Sequence, residues 1–174
     1  FKKFQAENPN SKFLFIAHRI EILKQSLHIF RNVLKDQNFG ELYGNGYEPK
    51  YKNAVFATVQ TLSNLNFTTY SSKDYFDYII LDEAHHGQAS TYQKVINYFT
   101  PKILLGLTAT PERMDGKSIL PDFNNKISAE IRLPDALNNK LLCPFQYFGI
   151  SDSIDYSRVK WNNGKYDSTE LTQI

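Results

Sequence analysis

The chain has 174 residues, with 20 Lys+Arg against 18 Asp+Glu and a formal net charge of +2. Apolar residues make up 41% and aromatics 14%, which excludes a disordered chain, and the near-neutral balance excludes a histone-like basic protein but not a local phosphate-binding groove. No apolar stretch approaches the roughly 20 residues that cross a bilayer, nothing resembles a signal peptide, and the single Cys143 supports neither an internal disulfide nor a thiolate metal site; a globular, cytoplasmic protein is expected.

Phe13-Leu14-Phe15-Ile16-Ala17 is a short apolar run without helical spacing, preceded by turn material at Asn8-Pro9-Asn10-Ser11. It predicts a strand buried on both faces, as in a parallel sheet. Ile20, Leu23, Leu27, Phe30 and Leu34 then recur at three- and four-residue intervals, which predicts an amphipathic helix ending near Asn38-Phe39-Gly40. Gly44-Asn45-Gly46 is a turn. Ala54-Val55-Phe56-Ala57-Thr58 predicts a second buried strand and Tyr78-Ile79-Ile80-Leu81 a third. A helix over 91–99 and a fourth strand over 103–107 follow, the strand stopped by Thr110-Pro111. Strands alternating with helices imply crossovers, hence an α/β fold with a largely parallel sheet flanked by helices on both faces. Beyond Leu133 the pattern weakens: a helix start at 134–137, a strand over 145–150, and a polar tail over 151–174 with a turn at Asn162-Asn163-Gly164. The expected division is 1–133 for one domain and 134–174 for a linker or the start of another.

In open α/β sheets ligands gather beyond the carboxyl ends of the strands. The third predicted strand ends in Asp82-Glu83-Ala84-His85-His86. Adjacent carboxylates there project in different directions, so one can hold a hydrated Mg²⁺ while the other orients or deprotonates a water for attack on a phosphoryl group. The fourth ends in Thr108-Ala109-Thr110-Pro111, whose hydroxyls come within reach of those carboxylates or of His85. The first two end in His18-Arg19 and Thr58-Val59-Gln60, a cation and neutral donors that suit a nucleic-acid backbone. Each strand end alone would pass for an ordinary solvated turn. The combination is far more specific.

Ile80-Leu81-Asp82-Glu83-Ala84-His85 resembles the Walker B, or DEAH, box of superfamily 2 helicases and translocases. Gly106-Leu107-Thr108-Ala109-Thr110-Pro111-Glu112-Arg113 resembles their motif III in the form found in restriction-subunit-type members. Phe15-Ile16-Ala17-His18-Arg19 is similar to motif Ia, and Ala57-Thr58-Val59-Gln60-Thr61-Leu62 to motif Ib. Weaker similarity, through Arg132-Leu133-Pro134-Asp135-Ala136 and Leu141-Leu142-Cys143-Pro144-Phe145, is to bacterial helicases carrying a phospholipase-D-like nuclease module. The resemblance implies a RecA-like first motor domain that couples ATP hydrolysis to movement on DNA or, less favoured, RNA. In it Asp82 would hold Mg²⁺ through water, Glu83 would position the attacking water, and His85 with Thr108 and Thr110 would link the nucleotide to the nucleic acid. His18, Arg19, Thr58 and Gln60 would lie along the bound strand. His86 has no firm role.

These residues contain no Gly-x-x-x-x-Gly-Lys-Ser/Thr phosphate loop, and Gly116-Lys117-Ser118 lacks the preceding glycine at the required offset. The family's second motor domain, with its arginine finger, is missing too. The expectation is a fragment truncated at its N-terminus, inactive alone, whose ATP and Mg²⁺ need the missing loop and whose parent carries the second motor domain and a nuclease or restriction module. Membranes are not an expected partner. Two other readings compete: a degenerate motor domain that grips nucleic acid or protein without catalysis, and a metal-dependent hydrolase using Asp82, His85 and His86.

Overall fold

The computed structural model describes residues 1–66, 72–86, 90–110, 118–149, 159–162 and 165–166. They fall into two compact units, Phe1–Ser128 and Ala129–Ile174. In the first, helix α1 (Lys2–Glu7) is followed by β1 (Phe13–Ala17), α2 (Ile20–Leu34), β2 (Glu41–Tyr43), β3 (Ala54–Thr58), α3 (Val59–Ser63), β4 (Tyr78–Leu81), α4 (Ser90–Ile96) and β5 (Ile103–Gly106). Short 3-10 turns occupy Ala84–His86 and Leu120–Phe123. The strands form one five-stranded sheet in the order β2-β3-β1-β4-β5, every neighbouring pair parallel. The α/β fold read from the sequence is the one found. Among the described residues no helix is long and apolar enough to cross a membrane.

Alternation along the strands builds two apolar layers, because successive side chains leave a strand on opposite faces. Phe13, Phe15, Phe56, Tyr78 and Ile80 join Leu23 and Leu27 of α2 and Phe1 and Phe4 at the chain start on one side. Leu14, Ile16, Val55, Ile79 and Leu81 join Val59 and Leu62 of α3 and Tyr92 and Val95 of α4 on the other. With layers on both faces, β1 and β4 are buried throughout, which is why they read as unbroken apolar runs. β5 lies at the sheet edge and is only half-buried, with Ile103 exposed.

The helix expected over 91–99 ends at Ile96 and the strand expected over 103–107 at Gly106, and two further features differ from expectation. Helix α2 stops at Leu34 rather than near Gly40, because Lys35 turns left-handed (φ 58°) and closes the last turn. The Arg31 guanidinium then holds the loop, donating to the carbonyls of Phe39 (2.8 Å) and Gly40 (2.9 Å). β2 was not foreseen at all; Glu41-Leu42-Tyr43 has no apolar run and becomes a strand by pairing with Val55, Phe56 and Ala57.

At the amino-terminal edge of the sheet Asp77 accepts from the Lys12 backbone N–H (2.8 Å) and pairs with the Lys102 ammonium (2.8 Å). Burial pushes its pKa up, but the Lys102 and Lys12 hydrogen bonds and charges outweigh it and leave the carboxyl below its ordinary 3.8. A lowered folded-state pKa means stability that is full above the unfolded value and lost as pH falls through the folded one. Asp77→Asn is therefore expected to cost about 1 kcal/mol at neutral pH, discounted for the exposed lysine. Thermal unfolding at several pH values checks this: the gap from wild type should close below pH 3.8.

The second unit contains α5 (Leu133–Asn138), with Pro134 in its first turn as the sequence predicts, and an antiparallel pair, β6 (Trp161–Asn162) and β7 (Lys165–Tyr166). The expected turn at Asn162-Asn163-Gly164 falls partly outside the described residues. The strand expected over 145–150 is a correction: 145–149 form none, and Phe145, Tyr147 and Phe148 are exposed. An apolar run makes a strand only where another backbone pairs with it; Ile150 lies outside the described residues.

Candidate active site

Parallel registry brings the carboxyl ends of all five strands to one rim. Tyr43 lies opposite Ala57, Ala17 opposite Thr58, Ile16 opposite Leu81, and Leu81 opposite Gly106. The ladder runs one step further on either side of the carboxylates. Asp82 N–H donates to the Ile16 carbonyl (2.8 Å), Leu107 N–H to Leu81 (2.9 Å), and Ala84 N–H to Leu107 (2.8 Å). Held between these bonds, Glu83 takes a left-handed conformation (φ 53°), which costs about 1 kcal/mol or more for a residue with a Cβ.

The turn carries Glu83 back onto its neighbours. His85 Nδ1 lies 3.2 Å from Glu83 Oε2 and 3.0 Å from Thr108 Oγ1. The Thr110 N–H in turn donates to Thr108 Oγ1 (3.1 Å). A carboxylate, an imidazole and a hydroxyl from two adjacent strand ends thus meet at one ring nitrogen. Small residues permit the approach. A Cβ on Gly106 would stand 2.9 Å from Ala84 Cβ and 2.5 Å from the Phe123 ring.

Asp82 is half-buried, and its pKa is raised first by that burial and then by the Glu83 charge; the Glu83 N–H and the nearby His18 act the other way. A carboxylate disfavoured in its ionised form gains from a nearby cation, and oxygen donors at a strand end suit hydrated Mg²⁺. Among the described residues, no group of three or more His, Cys, Asp or Glu side chains could hold a metal by protein ligands alone. Water-mediated coordination through Asp82 is the mode these residues fit.

The remaining predicted residues spread along the rim. Arg19 caps α2 in an extended conformation and is exposed, as is Gln60, while His18 is half-buried. Thr58 is buried; its Oγ1 accepts from the Thr61 N–H (3.3 Å) and meets Thr61 Oγ1 at 2.8 Å, capping α3. Pro111, Glu112 and Arg113 fall outside the described residues.

Sequence reasoning missed Tyr92. Its hydroxyl, brought from α4, donates to the Asp82 carbonyl (3.4 Å). Burial, reinforced by the charges of Asp82 and Glu83, pushes its pKa to about 12, so it remains a donor under the strand end. In the sequence it is one more apolar position of a helix, and no signal marks it out.

The family model for the type III restriction enzyme, res subunit, matches residues 1–113. The chain belongs to this family. It is 33% identical over 166 residues to a 51.5 kDa protein of a Lactococcus phage (isolate 7-9), covering 95% of this chain and 32% of the phage protein. It is 27% identical to IRC3 of Saccharomyces cerevisiae, named as a candidate ATP-dependent helicase, over 98% of this chain and 25% of that one. The Pyrococcus furiosus Hef helicase domain shares the fold, with a TM-score of 0.55 at 20% identity over 70% of this chain and 29% of that chain. This res-subunit family member is therefore a superfamily 2 helicase-type motor domain with a RecA-like fold, and it spans a third or less of the length of the curated relatives it matches.

Proposed function

We propose that the chain is the first motor domain of an ATP-dependent helicase or translocase acting on DNA, with RNA the less favoured strand, and that its DEAH segment is the hydrolytic centre. The observation that carries this is the junction of Glu83, His85 and Thr108 at the ends of β4 and β5, on the rim that also bears Arg19 and Gln60. Bound Mg·ATP would supply the phosphoryl group and the cation that neutralises its oxygens. Glu83 would position the water and accept its proton, and Asp82 would hold the cation through water. His85 Nδ1 lies within hydrogen-bond reach of both partners, so a change in either the Glu83 carboxylate or the Thr108 hydroxyl alters the other's contact. Thr108, tied to Thr110, is in this reading the step from hydrolysis to the nucleic-acid rim.

Because these residues include no phosphate loop, the backbone amides and lysine that stabilise a triphosphate must come from elsewhere in a longer protein. The parent chain, with a second motor domain, is expected to show nucleic-acid-stimulated ATP turnover, and the 174 residues alone none. A phosphate-release assay on both decides it. Turnover by the 174 residues alone would overturn the division of labour, and a parent protein that binds DNA without any turnover would favour the degenerate, gripping motor domain.

A further inference from the structure

The unforeseen strand β2 brings the predicted Gly44-Asn45-Gly46 turn to the end of β3. Gly44 and Tyr47 exchange both backbone hydrogen bonds at 3.0 Å, and between them Asn45 (φ 51°) and Gly46 (φ 86°) form a tight Asn-Gly hairpin turn. The turn is pressed onto the end of β3: a Cβ on Gly44 would stand 2.6 Å from Thr58 Oγ1 and 2.7 Å from Thr61 Oγ1. Further along, the backbone N–H groups of Lys50 and Tyr51 both donate to the Glu41 carboxylate. The loop is thus fastened by backbone pairing at one end and by the Glu41 carboxylate at the other, and none of these bonds uses the Tyr47 side chain.

Tyr47 stands on this turn 45% exposed, with the Lys24 ammonium of α2 at 5.1 Å from its ring centroid. A half-exposed aromatic ring with a cation on it is poorly explained as core. It has the composition of a stacking platform, where a base lies on a ring and a cation neutralises the adjoining phosphate. Its place agrees. The sheet order sets β2, β3 and β1 side by side, so the turn after β2 lies against Thr58 and Thr61 at the end of β3, and the Ala17–Thr58 pair sets that end beside the one leading into Arg19.

We propose that Tyr47 stacks a base of a single-stranded nucleic acid bound along this rim, with Lys24 steadying the ring and its phosphate. The inference rests on the motor-domain reading for the strand's presence, but the chemistry differs, being stacking rather than charge. In the full-length protein, affinities for 2-aminopurine-labelled single-stranded oligo-dA and for the equivalent oligo-rA are measured across a salt series. Tyr47→Ala is expected to weaken binding about 5- to 30-fold, to abolish quenching of the probe base, and to leave the salt slope unchanged. Tyr47→Phe should retain both affinity and quenching. Arg19→Ala should weaken binding and reduce the slope by about 0.7. A loss with Tyr47→Ala on either strand supports the proposal and shows which strand is stacked. If Arg19→Ala weakens binding while Tyr47→Ala changes neither affinity nor quenching on both strands, the stacking role is overturned alone. If neither substitution matters, the rim is not the binding track and both readings fall.

Discussion

Glu83→Gln in the full-length protein is expected to lower nucleic-acid-stimulated ATP turnover by about 10²–10⁴-fold while nucleotide binding persists. The substitution keeps shape and an oxygen that can accept from His85 Nδ1, 3.2 Å away, so the junction with Thr108 survives. What disappears is the charge that orients a water and takes its proton. The same change removes one of the charges that raise the Asp82 pKa and leaves the Asp82 carboxylate itself in place. Turnover by phosphate release, set beside equilibrium binding of a labelled nucleotide, separates the two effects. A turnover rate equal to wild type would remove Glu83 from the chemistry. Loss of nucleotide binding together with turnover would make it a structural residue instead.

The largest loss of stability is expected from Phe13→Ala. Phe13 is fully buried at the start of β1 and sits among the rings of Phe1 (4.4 Å between centroids), Phe30 (5.1 Å), Phe56 (5.5 Å), Phe39 (5.9 Å) and Tyr78 (6.0 Å). Those rings come from the chain start, α2, the loop after it and two strands, so no single movement refills the space. Truncating such a ring costs about 3–5 kcal/mol, which lowers the melting temperature by on the order of 10 °C. Ile29→Ala on the exposed face of α2 serves as the reference and should stay within about 0.5 kcal/mol. Thermal unfolding of the three proteins tests this, and equal melting temperatures for Phe13→Ala and wild type would mean the aromatic cluster is not a cooperative core.

The contrast between these two residues shows what could be read in advance. Phe13 was legible because a strand covered on both faces needs an unbroken apolar run, and β1, β3 and β4 each carry one. Glu83 stood out as a candidate because it follows such a run directly, at the strand end where ligands of open α/β sheets gather. Strand β2 and the false strand at 145–149 show the opposite. Glu41-Leu42-Tyr43 lacks the pattern and pairs, whereas 145–149 has the apolar residues and does not. Pairing is settled by which backbone lies alongside, and three half-buried residues carry too little local signal to announce it.

The sequence by itself therefore determined the α/β class, the buried strands and the polar residues at their ends, since burial and chemistry are both written locally in residue type. Only the tertiary structure decided which of those ends touch. The order β2-β3-β1-β4-β5 is made by crossovers between residues distant along the chain, and it brings Thr108 to His85, Tyr92 beneath Asp82, and the Gly44 turn against Thr58 and Thr61. Side chains contributed from other elements have no fixed spacing to the motif they support, so they come into view only when the sheet is assembled.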